Sequence, residues 1–385
     1  MSRIYFDNSA TTCVDDEAID IMTMYHKDLY GNPSSLHRMG VEAEKAVEEC
    51  RNKIAEMLSV KSKEIYFTSG GTEGNNMLIR GAVEKNKRIG NRIITSKIEH
   101  PSVLEVFRYY ESQGLDVIYL DVDEYGKIDF KKLEESINGD TILVSIMMIN
   151  NETGAIQDLK RIGELVKKNS KKTLFHSDCV QSFGKSVIDI NSCNLDMLTF
   201  SAHKLHGPKG LGGVYIRQGL NLPPLILGGG QESGFRSGTE NVASIAGFTK
   251  VLQNIDMKSN TDRFVSLKKY FISKVASAVD EVIINSPQRD DFADFIISIS
   301  LKNVKGEILL HALEKKEIYV STGSACSSKK NRTSHVLEAI NIPRDYIEGT
   351  LRVSFSKHNT LNEIDKCIEA LAEETSKIRK FTRRK

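Results

Sequence analysis

The stretch Ser201-Ala202-His203-Lys204-Leu205-His206-Gly207-Pro208-Lys209-Gly210 sets one lysine, Lys204, between a hydrogen-bonding Ser/His pair and a turn bounded by glycine and proline. The apolar run before it, 195–200, reads as a buried strand. A lysine held at a strand end, out of water, is destabilised as an ammonium, and its free amine attacks carbonyl carbon. Such an amine forms Schiff bases.

Other residues supply what a Schiff-base cofactor would need. Thr68-Ser69-Gly70-Gly71-Thr72-Glu73-Gly74-Asn75-Asn76 follows a strand pattern and precedes an apolar helical stretch. Glycines there let backbone N–H groups and a helix dipole approach an anion. No Lys-Ser/Thr follows, and the glycine spacing of a dinucleotide fold is absent, so a single phosphate group fits better than a nucleotide. Asp178 ends the strand pattern 173–178, at the carboxyl edge where α/β sheets hold ligands. Gln181 follows three residues later and could bond a ring oxygen. His100 lies after another strand, just before Pro101, and a flat imidazole there can stack on a ring and handle protons. An amine, a phosphate turn and an aspartate that keeps a pyridine nitrogen protonated together describe pyridoxal phosphate.

Cys326 stands apart from this set. It lies in Ser321-Thr322-Gly323-Ser324-Ala325-Cys326-Ser327-Ser328-Lys329-Lys330-Asn331-Arg332-Thr333-Ser334-His335, with no apolar side chain from Ser327 to His335. Such a segment reads as an exposed loop, and Lys329, Lys330 and Arg332 favour the thiolate. The other five cysteines (13, 50, 179, 193, 367) sit in apolar or helical contexts and are expected to pack.

These groups need a frame. Strand patterns at 64–68, 92–96, 117–121, 141–149, 173–178, 195–201 and 213–217 alternate with amphipathic helical patterns such as 38–58, 103–112 and 159–169. That alternation predicts an α/β fold with a mostly parallel sheet covered on both faces. Near Ile255 the stretch 257–262 breaks one helix and offers a new N-cap. Helices at 263–279, 306–316 and 361–378 and strands at 282–284 and 295–300 then predict a smaller α+β unit. The chain has 385 residues, and Lys+Arg of 53 against Asp+Glu of 51 give a net charge of +2, too balanced to argue for nucleic acid. The basic end 377–385 is the local exception. No run approaches the roughly 20 apolar residues of a membrane span, and the first residues lack a signal-peptide core. The six cysteines show neither a CxxC pair nor a metal-ligand spacing, so no metal is expected and a reducing, cytoplasmic setting is.

Six motifs in order carry a resemblance over essentially the full length. They are Tyr5-Phe6-Asp7-Asn8-Ser9-Ala10-Thr11-Thr12, the Ser-Gly-Gly-Thr-Glu turn, Asn150-Asn151-Glu152-Thr153-Gly154, Ser-Ala-His-Lys, Arg236-Ser237-Gly238-Thr239 and Gly-Ser-Ala-Cys. The chain resembles the cysteine desulfurases of the NifS/IscS type, within the class V aminotransferase-like, fold-type I pyridoxal phosphate enzymes. The resemblance implies a large domain over 13–256 with a seven-stranded mixed sheet, and a small domain made of 1–12 with 257–385. It implies Lys204 as Schiff-base lysine, Asp178 as pyridinium partner and His100 stacked on the ring. Gly71, Thr72, Ser201 and His203 would hold the phosphate, with Thr239 supplied by the other subunit of a homodimer. Asn151 and Gln181 would contact the cofactor, Arg352 would grip the carboxylate of L-cysteine, and Cys326 would accept its sulfur. A sulfur-acceptor protein, an iron–sulfur scaffold or a tRNA-thiolating enzyme, would follow. The stretch Lys329-Lys330-Asn331-Arg332-Thr333 departs from the family's usual Ser-Leu-Glu-Pro run and leaves the acceptor open. A selenocysteine lyase, a class V aminotransferase and a non-catalytic sulfur-trafficking scaffold are the alternatives.

Overall fold

The computed structural model describes residues 3–322 and 333–382, with side chains placed through residue 380. Helices form where apolar residues recur on one face. In the helix Arg38–Leu58 the buried set Ala43, Ala46, Val47, Cys50, Ile54 and Leu58 follows the three-four spacing of one stripe. His37 caps its start by accepting from Gly40 N–H at 3.3 Å, and Ser59, at φ 53°, turns the chain out of it. Leu159–Asn169 repeats the logic: Asp158 accepts from Arg161 N–H, and Leu159, Ile162 and Val166 are buried.

In chain order the strands are β1 (Ile4–Tyr5), β2 (Ile65–Thr68), β3 (Arg92–Ser96), β4 (Asp116–Leu120), β5 (Thr141–Ser145), β6 (Leu174–Asp178), β7 (Met197–Ser201), β8 (Gly212–Ile216), β9 (Val282–Ile284), β10 (Ile296–Leu301), β11 (Ile318–Tyr319), β12 (Ser321–Thr322) and β13 (Thr350–Ser354). Seven of them form the large sheet in the order β2-β8-β7-β6-β5-β3-β4. Pairings among β3, β4, β5, β6 and β7 are parallel, and β8 runs against both its neighbours. The reversal of β8 follows from its short link to β7, since a parallel return needs a longer crossover. The sheet is thus mostly parallel and mixed, as expected. Its carboxyl ends bring Thr68, Ser96, Asp178 and Ser201 to one edge.

Helices α1 (Asp16–Lys27), α2 (Arg38–Leu58), α3 (Gly71–Asn86), α4 (Pro101–Ser112), α5 (Phe130–Ser136), α6 (Leu159–Asn169) and α7 (Val242–Gln253) accompany this sheet. The remaining sheet, β12-β13-β10-β9, is antiparallel, and β1 pairs in parallel with β11. It packs with α8 (Met257–Ala278), α9 (Gly306–Glu314), α11 (Arg344–Ile347) and α12 (Leu361–Thr382), while α10 (His335–Ala339) is tied by His335 to the Glu99 carbonyl. Ile4 and Phe6 share one core cluster with Phe264, Leu267 and Phe271 of α8, Leu309 and Leu313 of α9, and Ile364 and Ile368 of α12. Each such side chain contributes about 1.5–3 kcal/mol on burial.

Two sequence expectations change. The strand read over 141–149 ends at Ser145, because Met147 N–H turns from the ladder to the carboxylate of Glu99, at 3.0 Å from each oxygen. Residues 257–262, read as a helix break, are the first turns of α8, whose N-cap is Asp256 accepting from Ser259 N–H. The interruption itself falls at 254–256.

Candidate active site

Lys204 ends a short 3-10 turn, Ala202–Lys204, that follows β7 directly. Its Nζ donates to the carbonyls of Ser9 at 2.6 Å and Ala10 at 2.8 Å. The N-terminal segment is fixed in turn by Thr12, whose hydroxyl donates to the His203 carbonyl and accepts from His206 N–H. The amine therefore sits at a strand end, oriented by main-chain oxygens.

Asp178 ends β6 and is buried. Its Oδ1 accepts from Val180 N–H at 2.9 Å and its Oδ2 from Asn75 Nδ2 at 2.7 Å. Asn75, fully buried on α3, also donates to Ser102 Oγ, which lies 2.8 Å from His100 Nδ1. Sequence reading passed over Asn75: an asparagine in a helical run carries no signal until the helix is docked on the sheet. Ser102 N–H donates to His100 Nδ1 as well, so a neutral ring carries its proton on Nε2. Burial first, with Lys204 and His335 adding to it, holds His100 below the usual imidazole range against the pull of Asp178.

The phosphate candidates lie at the start of α3 and the end of β7. Gly70 adopts φ 154°, a conformation side chains avoid, and a Cβ on Gly71 would stand 2.6 Å from Val180 Cγ2. Thr72 is exposed in the first turn of α3. Ser201 Oγ is buried with no hydrogen-bond partner. Burial, then the charges of Lys204, Lys209 and Lys185, push His203 down to about 4, so its ring is neutral near pH 7. Thr239 is exposed and borders a hollow with Ser69 and Arg236 of its own chain.

Gln181 donates through Nε2 to the Ser9 carbonyl at 3.0 Å, and its buried Oε1 has no partner. Arg352, buried on β13, donates to the Asn151 carbonyl at 2.9 Å and to Asp7 Oδ1 at 2.7 Å, while its Nε is buried and unpaired. Cys326 lies outside the described residues. Of the cysteines expected to pack, Cys50, Cys179 and Cys367 do so, and burial pushes each thiol up to about 12. Cys13 is a correction: it is exposed, on the loop between β1 and α1, with Sγ near only the Val14 carbonyl at 3.6 Å.

Buried polar atoms are normally bonded, so unpaired Ser201 Oγ, Gln181 Oε1 and Asn75 Oδ1 on one rim mark unspent bonding capacity. A phosphate, a ring oxygen, a pyridine nitrogen facing Asp178 and a carbonyl carbon near Lys204 match that capacity in kind. The residues present fit pyridoxal phosphate.

The profile of the family described as Aminotransferase class-V matches residues 4–367. The chain belongs to that family. A "NifS/IcsS protein homolog" from Lactobacillus delbrueckii subsp. bulgaricus is 42% identical over 373 residues, 96% of each chain. "Cysteine desulfurase IscS" from Methanosarcina thermophila is 40% identical, covering 98% of this chain and 93% of the relative. Among solved structures, a "NIFS-like protein" is 38% identical with a TM-score of 0.91, covering 97% of this chain and 100% of its own. "SspA in complex with cysteine" is 32% identical with a TM-score of 0.82 over 93% of this chain. This family member is accordingly a pyridoxal phosphate-dependent enzyme with the fold-type I architecture.

Within the family frame, Asn75 is a support for Asp178. Asn75→Leu is expected to weaken retention of the cofactor about tenfold, because a buried carboxylate oxygen loses its donor. Titration of the apoprotein with pyridoxal phosphate, read by visible absorbance, checks it; unchanged affinity would remove Asn75 from the site.

Proposed function

We propose that this enzyme is a cysteine desulfurase that converts L-cysteine to L-alanine and leaves the sulfur as a persulfide on Cys326. The supporting observation is Arg352, a buried guanidinium with Nε unpaired, set on the strand beside the N-terminal segment that holds Lys204. It suits an amino-acid carboxylate, which takes two parallel N–H bonds from such a fork. Relatives 40% identical over nearly the whole chain carry the desulfurase name.

The bound cofactor would supply an electron sink for the pair left when a Cα proton departs. Gly71, Thr72, Ser201 and His203 would hold its phosphate, joined by Thr239 from the second subunit of a homodimer. Asp178, supported by Asn75, keeps a proton on the ring nitrogen. Asn151 and Gln181 would contact the cofactor, and His100 would lie against its ring and exchange protons through Nε2. Lys204 would hold the cofactor and would take the Cα proton on Nζ. Arg352 and Asn151 fix the carboxylate. The Cys326 thiolate then bonds to the substrate sulfur as the carbon–sulfur bond breaks; with protons returned to carbon, L-cysteine and a thiol give L-alanine and a persulfide. The persulfide passes to an acceptor protein in the cytoplasm, for iron–sulfur cluster assembly or tRNA thiolation. Residues 13–256 serve as the cofactor-binding domain, and 1–12 with 257–385 as the domain carrying the cysteine.

Arg352→Ala should raise KM for cysteine strongly while the cofactor stays bound. Loss of one partner from a desolvated charge pair costs about 2–5 kcal/mol, which is roughly thirtyfold to several thousandfold in kcat/KM. Steady-state alanine release against cysteine concentration measures it, and an unchanged kcat/KM would place the carboxylate elsewhere. The same assay with selenocysteine separates a lyase, and absence of alanine from the native enzyme would favour the scaffold alternative.

A further inference from the structure

Three side chains that the sulfur chemistry does not use meet beside the lysine pocket. Asp15 precedes α1, His206 follows Lys204 by two residues, and His358 lies in the turn after β13. Each offers a ligand atom within 4.8 Å of the others. We propose that Asp15, His206 and His358 form a binding site for a zinc-type transition-metal dication at the seam between the large-sheet and small-sheet units.

The geometry is close to assembled. Asp15 Oδ1 lies 3.8 Å from His358 Nε2, and the two imidazoles of His206 and His358 meet edge to face with centroids 5.1 Å apart. Ligands about 2.0–2.1 Å from a tetrahedral zinc stand roughly 3.4 Å from each other, which the Asp15–His358 pair nearly meets, and all three residues offer ligand atoms within 4.8 Å. Two of the three are already braced by backbone. Asp15 N–H donates to the His206 carbonyl at 3.0 Å, and His206 N–H donates to Thr12 Oγ1 at 2.7 Å. His206 holds φ 64°, a left-handed conformation costly for a histidine, which these contacts impose.

Outer bonds orient the ligands as metal sites require. The Nδ1–H of His206 donates to the Cys13 carbonyl at 2.8 Å, which fixes the tautomer and leaves Nε2 its lone pair. Lys357 Nζ donates to Asp15 Oδ2 at 2.7 Å and leaves Oδ1 facing both histidines. Two imidazoles and one carboxylate suit zinc over magnesium or calcium, which take oxygen ligands. His358 is 63% exposed along its side chain, so the site opens to solvent and a fourth position is free for water. A bound ion would tie the loop before α1 and the segment after Lys204 to the turn after β13.

The test is equilibrium dialysis of the holoenzyme against zinc alone in thiol-free buffer, with metal and protein quantified, for the native chain, His358→Phe and Asp15→Asn. The native enzyme should hold one more equivalent than either variant, or bind that equivalent at least tenfold more tightly, with no competition from magnesium. Zinc should also raise the thermal midpoint of the native enzyme and not of the variants. Cys13 and Cys326 remain in all three proteins, so the difference reads the trio alone. The visible cofactor absorbance confirms that each variant is folded, and desulfurase activity plays no part in the readout. Equal zinc content and affinity in all three, or loss in Asp15→Asn without loss in His358→Phe, would overturn the site.

Discussion

Lys204→Ala is expected to give a folded protein that lacks the yellow colour of the bound cofactor and turns over at least about 10⁴-fold more slowly. Two jobs vanish with one side chain: the covalent hold on the cofactor and the proton transfer at Cα. The nearest candidate to replace it is Lys185, which lines the same hollow. Burial, reinforced by the Lys204 charge, pushes Lys185 down to about 7, so a neutral amine is present near pH 7. Its Nζ, however, lies over the Phe295 ring at 4.5 Å and is engaged there. The Ser9 and Ala10 carbonyls that orient Lys204 would be left without that donor. The purified variant's visible spectrum, read with alanine release, decides the matter. A normal spectrum with full turnover would show that the Schiff-base lysine is another residue.

Cys326→Ser should divide the reaction in two. On the proposed reading, cofactor binding and the spectral response to cysteine rest on Lys204, Asp178 and Arg352, and should persist. Sulfur transfer needs a thiolate, and a serine hydroxyl is a weak nucleophile that is almost never ionised near neutral pH. Alanine and persulfide formation should therefore stop together, a loss on the order of 10³-fold or more. Alanine measured beside the visible spectrum separates this from a cysteine that merely packs, for which serine would be a mild change. Near-normal alanine release would overturn the desulfurase reading in favour of another reaction on the same cofactor.

Much of the site was legible because its residues sit at punctuation points. Asp178 and Lys204 end or follow apolar runs, Gly70 and Gly71 mark a backbone that must come close to something, and His100 stands before a helix-starting proline. Helix 38–58 was readable at both ends, since its stripe begins and stops with its caps. What escaped depended on tertiary placement. Asn75 became a partner of Asp178 only when α3 docked on the sheet. Asp15, His206 and His358 lie far apart in the chain, with no short spacing to betray them. The end of β5 was hidden because Glu99, a buried carboxyl pushed up to about 8 chiefly by burial, captures Met147 N–H from outside the strand. Cys13, expected to pack, sits in the polar stretch Thr11-Thr12-Cys13-Val14-Asp15-Asp16, and the loop turns its thiol outward.

The oxygens that steady Lys204 belong to the first ten residues, and those residues are anchored near the other end of the chain. Asn8 Nδ2 donates to the Ser354 carbonyl across 346 positions, and Ser9 N–H donates to Ser354 Oγ. A ribosome moving at about 5–20 residues per second makes the two ends roughly 20 to 70 seconds apart. During that interval the large sheet and Lys204 are already synthesised. The N-terminal segment then has only its large-unit partners, among them Gln181 on the Ser9 carbonyl and His203 and His206 on Thr12. The bonds to Ser354 complete the hold on this segment only when the C-terminal strand arrives. A chain cut short before that strand would carry Lys204, Ser9 and Ala10 without the Ser354 anchor and without Arg352.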